Sequence, residues 1–88
     1  MIKLTAITPH LPDRLELAFS DGGHGLWNAG SLLAGDTVLT RPLTDPAYFA
    51  RAFVEAGALA WPNGLELLPW SLQAELREAG LLVEAKAA

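Results

Sequence analysis

The residues of this chain that are best suited to chemistry lie in one short glycine-rich stretch. Asp21-Gly22-Gly23-His24-Gly25 has the composition of a loop that binds phosphate. It lacks the Gly-x-x-x-x-Gly-Lys spacing of such loops, and no strong helical pattern follows it directly. Asp-Gly is instead typical of a tight hairpin turn, in which glycine supplies a positive φ. We therefore predict a turn here, and the alternative is a small-ligand or nucleotide-binding site at 21–25.

Histidine and serine side chains offer two further kinds of site. His10 and His24 have no second histidine or carboxylate at metal-ligand spacing, so we interpret them as surface loop residues. Ser31, His24 and Asp21 include the residue types of a hydrolytic triad, but no nucleophile-elbow pattern surrounds Ser31. The chain has no cysteine, and hence no disulfide or thiolate site. We predict no catalytic residues, no metal site and no cofactor.

The charge of the chain disfavours one large class of partners. Its 88 residues carry a formal net charge of -4, and the six basic residues are scattered along the chain. Phosphate contacts need a positive face, so we expect no nucleic-acid binding by this domain alone. The hydrophobic fraction of 51 % is at the high end for a small domain, which leaves room for apolar surface that another protein covers.

Length and hydropathy predict a single domain over residues 1–88. The N-terminus alternates from the first residue and has no long apolar run, so we expect neither a signal peptide nor a membrane span. The expected location is cytoplasmic. Residues 84–88 are expected to be frayed.

Alternating side chains predict an antiparallel sheet in the first third of the chain. Residues 2–7 and 14–19 alternate with a period of two, and the prolines of 9–13 separate them, so a hairpin is the simplest pairing. Gly25–Trp27 is expected to be a short third strand. A helical turn over 29–33 follows, with Asn28 as the candidate N-cap.

The stretch that begins at Thr44-Asp45-Pro46 admits two interpretations. A capping residue before a proline is a good helix start, and apolar residues at helical spacing extend that helix to residue 56: Phe49, Ala52, Phe53 and Ala56. In the competing interpretation, a helical turn at 46–50 precedes a hairpin that pairs 52–55 with 58–61. The pattern alone does not decide between them. A tight turn at Pro62-Asn63-Gly64 follows in either case.

The clearest helix begins at Pro69 and ends before Gly80. Its buried stripe is predicted to be Leu72, Leu76 and Ala79. Glu75 and Glu78 lie on its wetter side, and a short tail over 81–83 is expected to pack back.

Four residues are the candidates for contact with a partner: Trp70, Leu68, Glu66 and Trp27. On an ideal helix Trp70 projects away from the buried stripe, and an outward tryptophan is a common interface anchor. Leu68 is expected to join it. Glu66 would either meet a basic group of the partner or cap backbone donors near the helix start. Trp27, like Trp61, is expected to pack mainly in the core.

An ordered set of short motifs resembles a known bacterial family. The motifs are Phe19-Ser20-Asp21-Gly22, Trp27-Asn28, Leu32-Leu33, Leu43-Thr44-Asp45-Pro46 with Phe49, and Trp61-Pro62-Asn63-Gly64 with Glu66 and Pro69. Their order and spacing resemble those of the domain-of-unknown-function family 2442. The resemblance covers the chain from about Ile2 to Leu76. The resemblance implies an α+β fold, namely a small, mainly antiparallel sheet with one C-terminal helix packed on it. It also implies the hairpin over 51–61, which we adopt.

The resemblance also implies a class of partner. Members of the family often lie beside domain-of-unknown-function family 4160, in arrangements that look like toxin–antitoxin pairs. The expected function is therefore a non-enzymatic protein-interaction module, the antitoxin-like partner of a small basic toxin-like protein. The chain departs from the family pattern at Asn28 and Glu66, where aspartate is usual, and at Trp70, where a polar residue is usual.

Overall fold

The computed structural model describes residues 1–85 of the chain. The described part contains two three-stranded antiparallel sheets and several short helices, so the predicted α+β class is confirmed. The elements in chain order are β1 (Leu4–His10), β2 (Arg14–Phe19), β3 (His24–Asn28), α1 (Gly30–Ala34), a 3₁₀-helix (Arg41–Thr44), α2 (Pro46–Phe49), β4 (Phe53–Glu55), β5 (Ala58–Ala60), β6 (Glu66–Leu67) and α3 (Pro69–Glu78).

The first sheet has the order β1-β2-β3, and its inner face supplies much of the core. Leu15, Leu17 and Phe19 of β2 alternate into that face and are buried. On β3, Trp27 lies opposite Leu15 and Gly25 lies opposite Leu17. The period-two pattern therefore predicted both the strand and its buried side, because successive residues of a strand point to opposite faces.

Strand β1 is longer than its pattern predicts. It continues through Pro9 to His10, so the predicted break over 9–13 is shortened to a turn at 11–13. A proline is tolerated there because β1 is an edge strand, where a missing N–H donor disrupts no inner pairing. An irregularity in the pairing between Leu4 and Ala6 changes the register at the start of the strand.

The second sheet has the order β4-β5-β6, and the predicted hairpin is confirmed. Ala56 and Gly57 form its two-residue turn with φ values of 50° and 82°, the positive values of a type I′ turn. The alternative prediction, a helix that continues to residue 56, is therefore wrong, because α2 ends at Phe49. The amide N–H of Leu4 donates to the carbonyl oxygen of Gly57 at 2.8 Å, which joins the two sheets.

Two helix starts show how local capping decides the boundaries. Asp45 caps α2 as predicted, since its side chain accepts a hydrogen bond from the Ala47 N–H at 3.0 Å. The predicted N-cap at Asn28 is wrong by one residue: α1 begins at Gly30, with Ala29 at the N-cap. The Asn28 side chain instead accepts from the Gly30 N–H at 2.8 Å and makes the turn before the helix.

The turn after Trp61 is built as its residue types predict. Gly64 has a φ of 94° and its N–H donates to the Trp61 carbonyl at 3.1 Å. Asn63 accepts from the Leu65 N–H and donates to the Leu39 carbonyl, so the turn is held to a neighbouring loop. The ring of Trp61 is buried, and its indole N–H donates to the Phe49 carbonyl at 3.1 Å. Trp61 is therefore a core residue, as predicted.

Helix α3 packs on the first sheet through Leu72 and Leu76, which are buried as predicted. Ala79 is exposed, contrary to prediction, because the helix ends at Glu78 and the chain turns away there. The end is a Schellman motif: Gly80, with a φ of 72°, donates to the Arg77 carbonyl, and Leu81 donates to the Leu76 carbonyl at 2.8 Å.

Gly25 permits the close approach of α3 to β3. A Cβ atom at Gly25 would lie 2.6 Å from the Leu81 carbonyl oxygen and 3.2 Å from Leu76 Cδ1. Only glycine leaves that space, so the side chain of Leu76 rests directly on the β3 backbone. The buried cluster draws on both sheets, α2 and α3, and its larger members are Leu4, Leu15, Leu17, Phe19, Trp27, Leu43, Phe49, Leu59, Trp61, Leu72 and Leu76.

The chain after α3 packs back onto the first sheet, as predicted for residues 81–83. Val83 and His24 exchange two backbone hydrogen bonds, of 2.7 and 2.9 Å, which cover the outer edge of β3. Of the stretch 84–88 that was expected to be frayed, residues 86–88 lie outside the described part of the chain. No helix within residues 1–85 has the length and apolar character needed to cross a bilayer.

Replacement of Leu76 tests this packing. We expect Leu76→Ala to lower the free energy of unfolding by about 2–4 kcal/mol, because it leaves a cavity against Gly25 that the backbone cannot fill. Val38→Ala is the matched control, since Val38 is 81 % exposed, and its effect should stay within about 0.5 kcal/mol. Urea denaturation of the three proteins measures both values. A loss at Leu76 no larger than the control's would mean that α3 does not rest on this side chain.

Candidate interaction surface and cleft

A cleft of about 700 Å³ lies between α1 and the second half of α3. A smaller cavity of about 280 Å³ adjoins it and shares part of its lining: Trp27, Ser31, Leu32 and Glu75. The floor is apolar and the α3 wall carries carboxylates. The residues that line the main cleft are Trp27, Asn28, Gly30, Ser31, Leu32, Glu75, Leu76, Glu78, Ala79 and Leu81.

One hydrogen bond organises the polar side of the cleft. The indole N–H of Trp27 donates to Glu75 Oε2 at 2.7 Å, across 48 residues of sequence. Trp27 is only 5 % exposed, so its N–H needs a partner inside the protein, and the carboxylate supplies it. The bond holds the Glu75 carboxylate at the mouth of the cleft. Glu78 is three residues further along α3 and therefore lies on the same side of the helix.

The start of α3 presents two exposed apolar residues, Trp70 and Leu68, which the sequence predicts as partner contacts. Trp70 is 48 % exposed and Leu68 is 46 % exposed. The buried side chains of α3 are Pro69, Leu72, Gln73 and Leu76, so Trp70 lies on the outer side of the helix as predicted. The two residues form one exposed apolar step at the junction of β6 and α3.

Glu66 and Trp27 are the other two candidates for contact with a partner. Glu66 is exposed on β6 opposite Ala60, and it makes no hydrogen bond to the first turn of α3 within the described residues. The capping interpretation of Glu66 is therefore wrong, because an extended strand carries its side chain out of the sheet rather than along the helix axis. Trp27 belongs to the core, as expected for packing, and a partner would reach it only through the cleft.

Sequence reasoning missed three exposed residues on the outer strands of the second sheet. The pairing places Phe53, Ala60 and Glu66 in one row across the three strands, and Glu55 beside Ala58 in the next. Residues in register on neighbouring strands share a side, and Phe53 is 39 % exposed on this one. Ala60 is 1 % exposed and Ala58 7 % exposed, so the exposed members are Phe53, Glu55 and Glu66 on the two outer strands, and we call these three residues the β4–β6 face. Helical spacing had placed Phe53 on an apolar stripe with Phe49, and only the strand register reveals its outward position.

The glycine-rich stretch is a hairpin turn between β2 and β3, as predicted. Asp21 Oδ1 accepts from the Gly23 N–H at 2.8 Å, and Asp21 Oδ2 accepts from Gln73 Nε2 at 2.9 Å. These bonds, the Gly23 N–H first and the Gln73 amide second, hold the pKa of the Asp21 carboxyl below its ordinary value of 3.8. The turn thus connects to α3, and its residues are not part of the cleft lining.

The histidines are not brought together with other candidate residues. His10 Nε2 lies 3.3 Å from Glu16 Oε2 on the exposed side of the first sheet, and His24 is exposed on β3. Ser31 lines the cleft, whereas His24 and Asp21 do not. Within residues 1–85, no three histidine, aspartate or glutamate side chains cluster at a spacing that would hold a metal ion.

Comparison with known proteins adds no relative. No protein-family model, curated protein or solved structure matches this chain. The resemblance to family 2442 therefore stays a prediction, and function is inferred from the geometry described above.

The Asp21 carboxyl gives the stability of the protein a specific pH dependence. Because its pKa is lowered in the folded state, ionised Asp21 stabilises the fold above about pH 3.8, and that contribution is lost as the pH falls below this value. We expect Asp21→Asn to lower the melting temperature at neutral pH, and the difference from the unmodified protein to shrink below pH 3.8. Glu55→Gln is the control, since Glu55 makes no side-chain hydrogen bond within the described residues. If Asp21→Asn lowered the melting temperature by the same amount at neutral pH and below pH 3.8, the lowered pKa of Asp21 in the folded protein would be contradicted.

Proposed function

We propose that this chain is a protein-interaction module without catalytic activity, which acts by covering the surface of a small basic protein. The observation that carries the proposal is the exposed apolar step of Trp70 and Leu68 at the start of α3. A tryptophan carries a large apolar area, and half-exposed aromatic side chains of this kind are typical anchors of protein interfaces.

The surroundings of the step support a protein partner. Glu66 precedes Leu68 by two residues on the extended chain, so the two side chains leave the same side of the strand. Phe53 lies on that side as well, with Glu55 in the next row of the β4–β6 face. Apolar side chains with carboxylates at their border have the composition of an interface core with a polar rim.

The sign of the charge selects the class of partner. Both ionisable residues of the β4–β6 face are acidic, and the whole chain carries a net charge of -4. Complementary charge accelerates association with a basic protein and disfavours acidic partners. We propose that the partner is a small basic toxin-like protein, of the kind that resembles family 4160. This chain would then be its antitoxin-like neutraliser, and the mechanism would be steric occlusion of a basic surface.

The decisive experiment is a binding measurement with the proposed partner, a small basic protein to be identified by pulldown with this chain and by a reading frame next to its own. We expect Trp70→Ala to weaken the complex about 30-fold, the equivalent of roughly 2 kcal/mol for an interface anchor, while the melting temperature stays close to that of the unmodified protein. Leu68→Ala should have a smaller effect of the same sign. Isothermal titration calorimetry measures the affinities.

Val38→Ala is the control for this measurement, because Val38 is an exposed aliphatic residue on a separate loop. Its affinity should match that of the unmodified protein. Equal affinities for Trp70→Ala and the control would remove the step from the interface. If no small basic protein forms a complex with this chain, the proposed function itself is overturned.

A further inference from the structure

The cleft between α1 and α3 has a lining that accepts hydrogen bonds and carries negative charge. Its polar side chains include Glu75, Glu78 and Ser31, and none of its lining residues is lysine or arginine. Glu75 uses one carboxylate oxygen for the Trp27 indole, and its other oxygen has no hydrogen-bond partner within residues 1–85. Glu78 makes no ion pair in that part of the chain. The complementary ligand is therefore a cation that donates several hydrogen bonds.

The apolar floor restricts the kind of cation. Trp27, Leu32 and Leu76 supply apolar lining next to the carboxylates. Hard metal ions prefer six or more oxygen ligands, so a half-apolar cleft with two carboxylates suits them poorly. An organic cation on a hydrocarbon stem matches both halves of the lining, because the stem covers the apolar floor while the charged end meets the carboxylates.

The position of the cleft indicates where such a cation would come from. Ser71 lines the smaller cavity and directly follows Trp70, so the concave region begins beside the exposed apolar step. A protein that covers Trp70 therefore lies at the mouth of the cleft. A guanidinium group is planar and offers five donors, which suits two carboxylates and a hydroxyl better than the compact ammonium of lysine.

We propose that the cleft receives an arginine side chain of the basic partner, with its guanidinium against Glu75 and Glu78. The source of the arginine rests on the proposed function, whereas the binding chemistry of the cleft does not. The Trp27–Glu75 hydrogen bond positions one carboxylate before the arginine arrives. This reduces the reorganisation that binding would otherwise require.

The cleft can be tested on the protein alone with a blocked arginine. ¹H–¹⁵N NMR spectra of the full chain are recorded during titration with N-acetyl-arginine amide and, separately, with N-acetyl-citrulline amide, which has the same shape without the charge. We expect saturable shifts of the Trp27 indole N–H and of the amides of 75–79 with the arginine compound. Binding of the citrulline compound should be about tenfold weaker, because it lacks the charge-assisted hydrogen bonds.

Two isosteric variants test whether the carboxylates of Glu75 and Glu78 supply the charge that binds arginine. Glu75→Gln keeps an oxygen acceptor for the Trp27 indole, and Glu78→Gln changes an exposed side chain that makes no described hydrogen bond, so at least the second should fold normally. Each should weaken arginine binding by about tenfold through loss of one charge-assisted contact. Glu16→Gln, on the exposed side of the first sheet and outside the cleft lining, should bind as the unmodified protein does.

Equal binding of the arginine and citrulline compounds, shifts centred outside the cleft, or an unchanged affinity in Glu78→Gln would overturn the inference. The result of the arginine test can be distinguished from the result of the partner-binding test. A complex that depends on Trp70 but not on Glu78 would contradict the arginine site and leave the interaction module intact. Specific arginine binding without any protein complex would support the cleft and contradict the module.

Discussion

The packing of Leu76 on the backbone of Gly25 is the contact on which the rest of the structure depends. It sets the distance between α3 and the first sheet, since the missing side chain at Gly25 lets the helix approach β3 closely. A helix of ten residues is not stable alone in water, so this burial determines whether α3 forms at all. Trp70 of the exposed apolar step and the carboxylate wall of the cleft both lie on that helix.

Two polar contacts fix α3 in rotation once Leu76 is buried. Gln73 reaches the hairpin turn at Asp21, and Glu75 reaches Trp27 on β3. Because the two acceptor–donor pairs lie at different points along the helix, they leave little freedom to turn it about its axis. Trp70 is consequently held outward and Glu75 is held at the cleft. The same contacts that complete the fold therefore position the residues that we assign to binding.

The sequence predicted what depends on local pattern and missed what depends on long-range register. Strand β2, the Asp45 cap and the outward position of Trp70 follow from alternation, capping chemistry and helical geometry. The hairpin at Ala56-Gly57 contradicted the local periodicity, because alanine is a weak strand former and the pairing is decided by burial against the core. The cleft was not predicted at all, since the Trp27–Glu75 bond joins residues far apart in the chain and no local motif signals it.

The central claim is that the function of this protein lies on its surface around α3. Hydrogen–deuterium exchange of the chain, alone and in complex with the proposed basic partner, tests that claim most directly. The account predicts slower exchange of the amides at the junction of β6 and α3 and around the cleft, with no change along the outer edge of β1. Protection confined to β1 or to the loop that carries Val38 would contradict it.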